Sequence, residues 1–178
     1  MDIFDFSQYS ESFLKIRTKN GRIIPFKPNE PQKRLLSVIE GERKAGRPVR
    51  IIILKARQMG FSTLTEGVLF HSTITSENTT SLVIAHKEEA AAGLFAMNKL
   101  FYDELPERIR PMRNTASTKE MVFENPDKGS AEKGLRSRIR SATAGGRGVG
   151  RSETITNIHA SEVAFWEGDK KAILNGLM

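Results

Sequence analysis

The chain has 178 residues, 38% of them hydrophobic and 28% charged, which fits one folded domain rather than a disordered chain. It holds no cysteine, so a disulfide framework and a thiolate metal site are excluded, and a reducing cytosol suits it. No run of about twenty apolar residues is present to span a membrane. Residues 1–12 are too polar and acidic for a secretory signal, and the formal net charge of +7 is compatible with DNA, with RNA or with solubility alone.

From the N-terminus, Phe13-Leu14-Lys15-Ile16-Arg17-Thr18 and Arg22-Ile23-Ile24-Pro25-Phe26 flank Asn20-Gly21, the pattern of a β-hairpin. Pro28-Asn29-Glu30-Pro31 opens a helix whose buried stripe is Leu35, Leu36, Val38 and Ile39, and Gly46 and Pro48 end it. Arg50-Ile51-Ile52-Ile53-Leu54 is a continuous apolar run rich in β-branched residues, which predicts a strand buried on both faces of a parallel sheet. A loop follows, then a helix from Ser62 to about Thr75. Ser81-Leu82-Val83-Ile84-Ala85 reads as a second buried strand. Residues 88–105 form a helix with Leu94, Met97, Phe101 and Leu105 at helical spacing. Residues 121–123 and 135–143 read as strands bordering turns, and residues 155–160 as another. Strands alternating with helices predict an α/β fold with a mainly parallel sheet sandwiched by helices.

The loop Lys55-Ala56-Arg57-Gln58-Met59-Gly60-Phe61-Ser62-Thr63 is a candidate phosphate cradle. Such a cradle needs a strand, a tight turn of backbone N–H groups and a helix opening at Ser or Thr. The helix start attracts phosphate, and the hydroxyl binds Mg²⁺. Gly60 and Ser62 stand at the glycine and hydroxyl positions, but Phe61 replaces the usual lysine. The β/γ-phosphate cation would then be Lys55, with Arg57 second, because a lysine stem can reach from the other end of the loop. The alternative is an ordinary strand–helix turn with a solvated lysine. Gly145-Gly146-Arg147-Gly148-Val149-Gly150-Arg151-Ser152 fits the glycine spacing better, but the alternating, β-branched Thr154-Ile155-Thr156-Asn157-Ile158 after it predicts a strand, not a helix.

Residues 155–160 lead into Ser161-Glu162. P-loop ATPases carry an acidic pair at such a strand end, the first acid holding Mg²⁺ through water and the second polarising the attacking water. Glu162 matches the second. Ser161 stands at the first and brings a hydroxyl but no charge. Asn157 and His159 interrupt the strand, and a surface glutamate is the alternative. His71, His86 and His159 show no metal-ligand spacing. Arg136, Arg138 and Arg140 alternate and share one strand face, either solvated or facing DNA.

Three stretches in order resemble one family. Arg57-Gln58-Met59-Gly60-Phe61-Ser62 resembles the phosphate loop of tailed-phage terminase large subunits, in which the lysine can sit at the loop's start. His159-Ala160-Ser161-Glu162-Val163-Ala164-Phe165-Trp166 resembles that family's acidic strand. Thr18-Lys19-Asn20-Gly21, then Ile24-Pro25-Phe26 and Gln32, resemble its N-terminal segment. The likeness covers most of the chain and is weakest over residues 108–135.

The resemblance implies a P-loop NTPase core of the RecA/ASCE type over residues 31–178, preceded by the hairpin segment of residues 1–30. It implies ATP and Mg²⁺ as cofactors, with Gln32 and residues 55–63 binding nucleotide, and Ser62, Ser161 and Glu162 around the metal. Gln32 would read adenine by donating to and accepting from the base edge. Phe26 would stack on the base or fill the core. Arg147, or else Arg151, would act on a neighbouring subunit's nucleotide, as an inserted arginine neutralises γ-phosphate charge. Lys55, Glu162 and Arg147 form the catalytic set.

The implied partners are double-stranded DNA held through its phosphates, the portal protein, the terminase small subunit and further copies in a homo-oligomeric ring. The implied place is the host bacterial cytoplasm, docked transiently on the procapsid, with no membrane. The family's nuclease domain and coupling segment would follow Met178, so the expectation is a core truncated at its C-terminus. Two other readings remain: a helicase-like or other DNA-dependent P-loop ATPase, and a nucleotide- or DNA-binding module without turnover.

Overall fold

A computed structural model describes residues 3–56, 58–145 and 154–175. Its first element is a helix, α1 (Phe6–Phe13), where the sequence pattern pointed only to a polar lead-in. Asp5 caps it by accepting the Gln8 N–H, and Phe6, Tyr9, Ser10 and Phe13 bury one side at helical spacing. Phe13 therefore ends a helix instead of starting a strand. The hairpin that follows matches expectation, with β1 (Lys15–Arg17) antiparallel to β2 (Ile23–Pro25) around Gly21 at φ 82°.

Helix α2 (Glu30–Lys44) begins with a capping box. Asn29 Oδ1 accepts the Gln32 N–H at 3.0 Å, and Gln32 Oε1 accepts the Asn29 N–H at 2.8 Å. Helix α3 (Phe61–Thr75) and strand β3 (Thr80–Ala85) come next, then α4 (Glu88–Asp103). β4 (Thr115–Ala116) and β5 (Glu120–Phe123) pair as antiparallel strands, followed by β6 (Ser137–Thr143), β7 (Asn157–Ala160) and α5 (Lys170–Asn175).

The larger sheet has the order β4-β5-β6-β3-β7. It is parallel across β6-β3-β7 and antiparallel at β4-β5-β6, so the expected mainly parallel sheet is a mixed one. The main core lies between α1 to α4 and the sheet face carrying Val83, Ala85, Ile139, Met121 and Phe123. The opposite face buries Leu82 and Ile84 under Trp166, with Ile173 and Leu174 of α5 beside them. No helix of the described residues is long and apolar enough to cross a membrane.

The strand expected at residues 50–54 does not form. The segment has no ladder partner among the described residues, and Ile52 and Leu54 are 100% and 101% exposed. β3 is paired on both sides, by β6 and β7, so the place a strand–α3–β3 crossover would most directly fill is already taken. β-branched apolar side chains fit a ladder that exists; they do not supply one.

Candidate functional site

Chain direction brings Ser62, Ser161 and Glu162 toward one edge of the sheet. α3 packs over β3, β6 and β7 and enters β3 through residues 76–79, so its first turn lies where these three parallel strands end. Ligands of α/β sheets bind at this carboxyl edge.

The turn into α3 is held from below by α2. Gln32 Nε2 donates to the Gly60 carbonyl at 2.6 Å, and Asn29 Nδ2 donates to the Met59 carbonyl at 3.3 Å. Gly60 sits at φ 74°, and a Cβ there would lie 2.6 Å from Gln32 Nε2. The capping box of α2 thus clamps two successive carbonyls of the loop. With these carbonyls turned toward α2, α3 starts without a side-chain cap, and its first α-helical bond is Leu64 N–H to Gly60 O. Uncapped amides at a helix start attract anions. Gln58, at φ 63°, accepts from Lys19 Nζ at 3.1 Å. Ser62 and Thr63 are half-buried in the first turn, while Lys55 and Ala56 are exposed and Lys55 makes no ion pair among the described residues.

β7 supplies the second arm. Its ladder continues one residue past the strand, the Ser161 N–H donating to Ile84 O at 2.7 Å. The Trp166 indole N–H donates to Ser161 O at 2.9 Å, fixing that carbonyl from the other side. Glu162 then turns into the left-handed region at φ 52° and projects an exposed carboxylate. Its Oε2 lies 3.1 Å from Nδ1 of His86, the residue just after β3. His86 Nδ1 makes no hydrogen bond among the described residues, so the contact is one of proximity. Phe165 closes over the His86 ring at 5.9 Å between centroids.

The two arms are joined by a polar seam. Asn157, His159 and Ser161 share one face of β7 by alternation. His159 Nδ1 lies 2.5 Å from Oε1 of Glu66, a hydrogen bond between the two side chains. Glu66 is fully buried, and its Oε2 accepts from Asn98 Nδ2 of α4. Farther along the seam, Asn157 Nδ2 donates to Ser72 Oγ and Ser81 Oγ, both at 3.1 Å.

Of the expected site residues, Ser62, Ser161 and Glu162 lie at the shared edge and Gln32 lies beneath its loop. Arg57, Arg147 and Arg151 lie outside the described residues. Among the described residues no group of three or more His, Asp or Glu side chains could hold a metal by itself. Sequence reading did not single out Glu66, and it gave His86 and His159 no functional role because they show no metal-ligand spacing. Their only signal was position: a lone acid inside an apolar helix, one histidine just beyond a buried strand and one inside a half-buried strand. No known protein-family model matches the chain, and no curated protein matches it.

Proposed function

We propose that this chain is the ATP-hydrolysing motor domain of a phage DNA-packaging terminase large subunit. The observation that carries the reading is the shared edge: the start of α3, with Ser62, and the end of β7, with Ser161 and Glu162, point to the same edge of the sheet, and Glu66 and His159 tie the two elements. The three sequence stretches that resemble the family supply the rest.

Mg²⁺-ATP, when bound, supplies an electrophilic γ-phosphate whose charge the metal shares. Amides at the start of α3 hold the phosphate tail, with Lys55 or Arg57 as cation. Ser62 Oγ would hold the metal beside the phosphates, and Ser161 Oγ would help to hold it through water. Glu162 orients the attacking water and takes its proton. Arg147, or else Arg151, reaches a neighbouring subunit's nucleotide. Such catalysis is positioning and electrostatics. Double-stranded DNA is gripped through phosphates, so its affinity falls steeply with salt. The portal, the small subunit and a ring of copies complete the motor.

A second reading, a nucleotide-binding module without turnover, is favoured by residues 50–54 standing outside the sheet and by Lys55, which has no ion pair among the described residues. Measuring ATP binding beside hydrolysis, with DNA and portal added, separates the two. The motor reading expects phosphate release from the wild type. It expects Glu162→Gln to keep ATP affinity and lose about 10²–10⁴-fold in kcat, the usual worth of a positioned base. Full hydrolysis in Glu162→Gln removes the role of that carboxylate. Unchanged ATP affinity in both Lys55→Ala and Arg57→Ala removes the assigned phosphate cation.

A further inference from the structure

α3 buries Leu64, Val68, Leu69 and Phe70 in the main core, yet where it crosses β7 the contact is polar. Glu66 is the deepest member, fully buried, with one oxygen on His159 and the other on Asn98. A buried polar pair of this kind is a poor source of stability, since apolar groups of the same volume usually do as well. Its usual worth is register. A one-residue slip of β7 would replace His159 by Ile158 or Ala160 and leave Glu66 Oε1 buried without its partner.

That register fixes the site. Ser62 precedes Glu66 by four residues, on the same face of α3 and about 6 Å nearer its start. Ser161 follows His159 by two residues, on the same face of β7 and about 7 Å farther along. α3 and β7 run in opposite directions, so both steps lead to the carboxyl edge by nearly equal distances.

We propose that Glu66 and His159 are positioning residues: their hydrogen bond sets Ser62 opposite Ser161 and Glu162, and so sets the geometry between phosphate loop and attacking water. This rests on the ATPase reading above. Neither side chain touches nucleotide; each acts through the element that carries it.

The test uses the whole chain and two variants built to fold. Glu66→Leu/His159→Phe replaces the pair by apolar groups of similar size. Glu66→Gln keeps an acceptor for His159, and Asn98 can turn its Oδ1, which lacks a partner, toward the new amide. The readouts are kcat, KM for ATP and the emission of Trp166, the single tryptophan, whose indole N–H is bonded to the Ser161 carbonyl.

The expected result for the apolar pair is a loss of at least about tenfold in kcat, a KM within about threefold and a red-shifted Trp166 emission, since a misplaced group costs rate before binding. Glu66→Gln should stay within about threefold of wild type in kcat and keep the native emission, because the hydrogen bonds are conserved. An apolar pair with wild-type kcat and emission overturns the proposal while leaving the ATPase reading intact. A wild type that neither binds nor hydrolyses ATP overturns that reading and takes the catalytic half of this proposal with it; a Trp166 shift in the apolar pair then upholds the hold of the seam on Ser161.

Discussion

Gln32 of α2 donates its amide N–H to the carbonyl of Gly60 across 2.6 Å, so the helix before the loop grips the last turn before α3. The other end of the same amide accepts the Asn29 N–H. One N–H and one lone pair remain for any base-reading role. Gln32→Glu keeps the capping acceptor but sets a carboxylate oxygen against the Gly60 carbonyl. It is expected to destabilise the fold by about 1–3 kcal/mol in urea denaturation, the penalty of an unmade buried hydrogen bond. Gly60→Ala forces a Cβ into φ 74° and against that amide. A cost of about 1–3 kcal/mol is expected for it, from backbone strain alone. A wild-type midpoint in both variants would show that α2 does not hold the loop.

The exposure of residues 50–54 makes an equally direct prediction. Ile52→Ala in a strand buried on both faces would cost about 2–5 kcal/mol. With Ile52 fully exposed, the expected change is within about 0.5 kcal/mol. A loss of several kcal/mol in urea denaturation would place Ile52 inside a packed sheet in solution.

These two cases mark where the sequence was legible. α2, α3, α4 and β3 could be read because each is long or strongly patterned, and the box Asn29–Gln32 and the glycine at the α3 start mark their ends. α1 escaped notice because its apolar positions are only Phe6, Tyr9 and Phe13, scattered among serines. Residues 50–54 misled because an apolar β-branched run records affinity for a ladder, and only the tertiary structure decides whether the ladder exists. Of the site, Ser62, Ser161 and Glu162 stood out by motif. Glu66 and His159 did not, since a polar residue in an apolar pattern reads as an interruption until its partner, 93 residues away, is seen opposite it. The alternation of Asn157, His159 and Ser161 was the readable trace of that polar face.

Glu162 holds a left-handed backbone conformation that favours glycine. Strain of this kind at an exposed carboxylate fits a position kept for chemistry rather than for stability. Glu162→Gly is therefore expected to leave the melting free energy unchanged or raise it by up to about 1 kcal/mol, while abolishing phosphate release. Thermal melts beside a phosphate-release assay check both halves. A clearly less stable Glu162→Gly protein would mean that the contact with His86 holds the edge together.

Tyr9 tests the core beneath α1. Its ring packs against Phe13 and His71 at 5.3 and 4.6 Å between centroids, and its hydroxyl is buried with no hydrogen-bond partner among the described residues. Tyr9→Phe removes that hydroxyl and keeps the ring, so the variant is expected to be as stable as wild type or about 1 kcal/mol more stable near neutrality. Burial also pushes the Tyr9 phenol well above its ordinary range. A group whose folded pKa is raised contributes stability that is present below its unfolded pKa and lost as pH rises above it. Wild type should therefore weaken beyond about pH 10 by up to about 1.4 kcal/mol per pH unit for this group, as the unfolded phenol ionises and the buried one does not. Tyr102 is raised as well, chiefly by burial, and is common to both proteins, so the difference between them isolates Tyr9. Urea midpoints at neutral pH and above pH 10 should diverge in favour of Tyr9→Phe. Parallel midpoints across that range would mean that the Tyr9 hydroxyl reaches water or a partner in solution.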